Sequence, residues 1–120
     1  MARQISYTKH ENKLLHNFRQ SLNKAESTED VKKVFVHASR KLFESISDGR
    51  IGIQYEDIAL IPAHAPYYRM KKRLTATKAF DKIWNNSDLW RVISRFAEAA
   101  IGHYRHLEKN PEKTKSKIRN

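Results

Sequence analysis

The sequence predicts an all-α fold, a compact multi-helix bundle with no significant sheet. Apolar residues recur at helical spacing through three long segments, 8–25, 28–47 and 88–108. Only three glycines and three prolines interrupt 120 residues, so the breaks between segments are easy to locate. Alternation of the strand type is confined to residues 50–54, where Ile51 and Ile53 share one side, and a lone extended segment without a partner makes no sheet.

Residues 1–7 read as a loose end. In the first helix, 8–25, Leu14, Leu15, Phe18, Leu22 and Ala25 fall on one face, and Tyr7 extends it. Ser27 or Thr28 caps the second helix, 28–47, and Ser27 with Asp30 resembles a capping box. Glu29 and Asp30 suit the positive end of its dipole. Its apolar stripe is Val31, Val34, Phe35, Ala38, Leu42 and Ile46, and Gly49 closes it by taking positive φ.

A short helix is expected over 55–61, with Glu56 and Asp57 in its first turn and Pro62 as its stop. Residues 67–84 do not fit one helix. Tyr67, Met70 and Leu74 share a face, whereas Ala76, Ala79, Phe80, Ile83 and Trp84 share another, more than a quarter turn away. A break at Thr75, whose hydroxyl caps the second of the pair, gives two short helices, 67–74 and 75–84. Ser87 caps the last helix, 88–108. Its two apolar stripes, one through Leu89, Val92, Ile93 and Phe96 and one through Trp90, Ala97 and Ile101, put it at the centre of the bundle. Residues 1–108 therefore read as one helical domain, and 109–120 as a basic tail expected to be disordered.

Cysteine is absent, which excludes disulfides, thiolate catalysis and cysteine-based metal sites. No apolar run approaches the length of a membrane span, and the N-terminus lacks the apolar stretch of a signal peptide, so the default location is cytoplasmic. The net charge is +11, from 24 Lys+Arg and 13 Asp+Glu. Beyond Glu108 the chain holds five cations and one acid, so the body is strongly basic without its tail. Such a charge attracts polyanions, whether nucleic acid (DNA or RNA), an acidic membrane or an acidic protein, and does not choose among them.

The densest basic segment is Arg69, Lys71, Lys72 and Arg73, preceded by Tyr67 and Tyr68 and followed by Lys78 and Lys82 one helical turn apart. Cations neutralise phosphates and tyrosines stack on unpaired bases, so these six cations form the candidate nucleic-acid site, with Arg69, Lys72 and Arg73 as its main contact. A solvated helix face accounts for the same residues more blandly. Segments 55–61 and 67–74 resemble a helix-turn-helix only loosely, because the Pro62–Pro66 linker is long and lacks glycine. Gly49-Arg50-Ile51-Gly52 matches a GxxG loop, but KH modules also need three strands.

His103 and His106 are three apart, yet a zinc site wants three or four ligands, and His103 lies in the apolar stripe. Glu56 and Asp57 point about 100° apart on a helix and fit first-turn roles. No nucleophile elbow, P-loop or dinucleotide fingerprint occurs, so the expectation is a non-enzymatic protein with no cofactor and no metal. The alternative to a nucleic-acid-binding module is a protein–protein adaptor or self-associating bundle with a patch around Trp90 and Ile101.

Overall fold

The computed structural model describes residues 6–109. Its described part is mostly helical. The elements in chain order are α1 (Thr8–Lys24), α2 (Thr28–Ser47), a 3₁₀ turn (Tyr55–Asp57), β1 (Ile58–Leu60), β2 (Tyr68–Met70), α3 (Lys72–Thr75), α4 (Lys78–Asn85) and α5 (Leu89–Lys109). The three long helices lie within a residue of their expected limits. The expected tail, 109–120, falls outside the described residues except for Lys109, the last residue of α5.

The junction of α1 and α2 follows the capping chemistry. Ala25 turns extended, and the Ser27 hydroxyl accepts from the Asp30 N–H at 3.1 Å. The Asp30 carboxylate reaches back to the Glu26 N–H, also at 3.1 Å, one residue earlier than a standard capping box requires. Helix α2 ends with Asp48 and Gly49 both at positive φ. Asp tolerates that region better than most residues and Gly adopts it freely.

The centre is shared. Helix α2 packs against α1, α5, β1 and the 3₁₀ turn, while α5 packs against α1, α2 and α4. Helix α5, expected in the middle, shares that place with α2. Phe18 of α1 stacks on Phe96 of α5 with centroids 4.6 Å apart. Phe43 of α2 stacks on Phe80 of α4, which stacks in turn on Trp84.

The expected helix over 55–61 is not formed. One 3₁₀ turn covers Tyr55–Asp57, and the chain then becomes β1, paired antiparallel with β2 in the register Ile58 to Met70, Ala59 to Arg69 and Leu60 to Tyr68. Ile58 and Leu60 are buried with Ala59 half-buried between them, the alternation of a strand rather than a helical stripe. Pro62 is not a helix stop, and Pro66 does not open a helix. They lie in the hairpin loop, closed by the Ile61 N–H to the Tyr67 carbonyl at 2.7 Å. The expected helix over 67–74 is likewise replaced, by β2 and the single turn α3. The break falls at Thr77 rather than Thr75. The Thr77 hydroxyl accepts from the Phe80 N–H at 3.2 Å and donates to the Leu74 carbonyl at 2.9 Å. Thr75 ends α3 instead of starting α4.

The start of α5 differs in detail. The Asp88 carbonyl accepts from the Arg91 and Val92 N–H groups, so Asp88 is the backbone cap, while the Ser87 hydroxyl holds the Leu89 N–H at 3.2 Å. The Asp88 carboxylate turns away to take the Tyr7 N–H at 2.8 Å and the Ser6 hydroxyl at 3.0 Å. Tyr7 is buried, and burial together with the Asp88 charge raises its phenol pKa. Ser6 and Tyr7 are therefore tied down, against the expectation of a loose end. Residues 1–5 lie outside the described residues.

Candidate nucleic-acid interface

The candidate cations occupy one unbroken stretch, β2 through α4. Tyr68 and Met70 turn inward from β2, so the pleat directs Arg69 outward. Lys71 joins β2 to α3, its N–H bound to the Asp57 carbonyl at 2.8 Å. Lys72 and Arg73 open α3, and Lys78 and Lys82 lie one turn apart on α4. All six are exposed.

Arg73 differs from the rest. Its guanidinium grips the Asp57 carboxylate through two nitrogens, Nε to Oδ1 at 3.1 Å and Nη2 to Oδ2. Asp57 is 1% exposed and also accepts from the Gln54 N–H at 2.7 Å. Burial alone would raise its pKa. The Gln54 N–H, the Arg73 guanidinium and the Lys71 charge outweigh burial and hold the carboxyl below its ordinary value. Arg73, expected as a main contact, does face solvent, but it also bolts α3 to the 3₁₀ turn. Its exposed edge still adds to the field, while two of its five N–H donors are committed to Asp57.

The two tyrosines are committed as well. Arg105 of α5 lies over the Tyr67 ring, 5.4 Å from its centroid. Tyr68 is half-buried and hydrogen-bonded to Ser94, and burial raises its pKa despite that bond. Arg105 brings a further cation beside β2. Sequence reasoning missed it because 36 positions separate it from Arg69, and no local pattern marks it.

Three ion pairs exist among the described residues: Lys32 with Glu29, Arg73 with Asp57 and Arg95 with Glu11. Arg69, Lys72, Lys78 and Lys82 belong to none of them. The last pair is bidentate, at 2.6 and 2.7 Å, and Glu11 is buried. Its hydrogen bond outweighs burial and raises the Arg95 pKa. Nothing in the α1 stripe marks Glu11 as a core residue; only its partner on α5 explains it.

The other motifs dissolve in the fold. With no helix over 55–61 there is no helix-turn-helix. The Gly49–Gly52 loop follows α2, and the sheet among the described residues has two strands, one fewer than a KH module needs. His103 is half-buried, and burial followed by the His106 charge lowers its pKa. No group of three or more His, Cys, Asp or Glu residues able to hold a metal occurs among the described residues. Trp90 is 42% exposed with Arg91 over its ring at 5.0 Å, whereas Ile101 is 2% exposed. The expected Trp90–Ile101 patch is therefore not formed. No described helix is long and apolar enough to cross a membrane.

No family model, curated protein or solved structure matches the chain.

Proposed function

We propose that the protein is a non-enzymatic nucleic-acid-binding module that acts through phosphate-backbone contacts with little sequence preference. The observation that carries this reading is the run of exposed cations Arg69, Lys71, Lys72, Lys78 and Lys82, next to Arg105, on a chain of net charge +11. Cations spared from ion pairing are available to displace the counterions of a polyphosphate. The committed tyrosines favour contact with the backbone over base stacking.

Fluorescence anisotropy with labelled random-sequence duplex and single-stranded oligonucleotides tests it across a salt series. Five phosphate contacts give a slope of log affinity against log salt of about −4.5 on duplex, or roughly a 500-fold loss between about 50 and 200 mM. Reversing Arg69, Lys72 and Lys78 to glutamate should flatten that slope by about 2.7. Arg73 is left intact, because its reversal would unfold the site rather than probe it. An unchanged slope refutes the site, and no binding at near-physiological salt refutes the function.

A further inference from the structure

Helices α1 and α2 do not close against each other along their outer edge. Ser21 and Ala38 are small where larger residues would fill the seam, and a groove of about 310 Å³ results. Leu14, Phe18, Val34 and Ala38 form its apolar floor; Asn17, Ser21, His37 and Lys41 form its rim. The lining residues repeat at i, i+3, i+4 and i+7 on both helices, so the groove runs for about 10 Å, two helical turns. Tyr55, 42% exposed, stands beside it with its ring edge-on to His37 at 6.2 Å.

We infer that this groove is a docking site for an acidic amphipathic helix of a partner protein. An apolar floor two turns long accepts anchors from one face of a helix. The sign of the partner is set by the cations around it. Lys13 and Lys24 flank the groove on α1, one turn from Asn17 and from Ser21 by helical spacing, and Lys33 and Lys41 flank it on α2. Asp30, one turn before Val34 with its carboxylate on the Glu26 N–H, and Glu44, one turn after Lys41, are the acidic exceptions, outnumbered by the four lysines. A second copy of the chain would bring like-charged rims together, and residues 109–120 carry five cations against one acid, so neither matches. Phosphates have no use for the apolar floor, which sets this site apart from the cations of β2 to α4.

A labelled helical peptide with leucines at i, i+4 and i+7 and glutamates elsewhere tests the inference by anisotropy against the full chain. Two control peptides carry lysine for glutamate, or glutamine for leucine. The acidic peptide should bind at least about tenfold more tightly than either control. Ser21→Phe fills the groove from an exposed position, and Lys41→Glu reverses its rim. Each should weaken the acidic peptide by about tenfold, with melting curves confirming the fold. Amide shift mapping should report residues 14–21 and 34–41. Equal binding of acidic and basic peptides, full binding by Ser21→Phe, or shifts centred on β2 to α4 would overturn the assignment, as would complete displacement by an oligonucleotide that leaves the shifts of 14–21 and 34–41 unmoved.

Discussion

Replacing Arg73 with alanine would leave Asp57 with its Gln54 N–H and the Lys71 field as compensation for burial. Removing one partner of a buried ion pair costs about 3–5 kcal/mol. The Arg73 side chain is 58% exposed, so water already screens part of the attraction and the figure falls to about 2–3 kcal/mol. For a chain of this size that is roughly an 8–12 °C drop in melting temperature. The pH dependence separates this mechanism from loss of packing. The folded pKa of Asp57 lies below its ordinary value, so the stabilisation is fully present above the unfolded carboxylate range, near about 4, and is lost as pH falls through the folded value. Urea melts of wild type and Arg73→Ala should therefore differ most near about pH 7 and converge as pH falls through the folded Asp57 value, below the ordinary carboxylate range. A variant melting within about 2 °C of wild type, or a gap constant with pH, would refute the bolt.

Three further outcomes are expected. Glu11→Ala removes the carboxylate that binds α1 to α5 and leaves Arg95 half-exposed and able to rehydrate, so it should cost about 1–2 kcal/mol in urea unfolding. Ser27→Ala deletes the α2 cap and should cost about 1 kcal/mol, read by the same melts. Ser39 lies fully buried on α2 with no hydrogen-bond partner for its hydroxyl, so Ser39→Ala should be neutral or stabilise by up to about 1 kcal/mol; a clear loss would reveal a missed partner.

The long helices were legible because their signals are local: an apolar stripe repeating every turn, and capping residues such as Ser27 that act within three positions. The hairpin was not. Ile58 to Leu60 is too short to display a period, and what makes it a strand is pairing with Tyr68 to Met70, beyond the hairpin loop. Pro62 and Pro66 were legible as breaks but not as the flanks of a turn. The exposed cations were visible in sequence as composition. The commitment of Arg73 was not, since it depends on the depth of Asp57, which burial against the fold determines. Glu11, Arg105 and the α1–α2 groove escaped for the same reason, each being a property of two elements at once.

The ties between α1 and α5 also bear on how the chain is made. Glu11 and Arg95 are separated by 84 residues, and the Tyr7 N–H and Asp88 by 81. At a synthesis rate of about 5–20 residues per second, α1 waits roughly 4–17 s for the helix that completes its packing. Through that interval Phe18 lacks Phe96, Glu11 lacks its cation, and the α2 face destined for α5 stays open. The emerging chain is thus a basic α1–α2 pair with an uncovered apolar side. Until α5 arrives, that side is what a chaperone, or another nascent chain, would meet first.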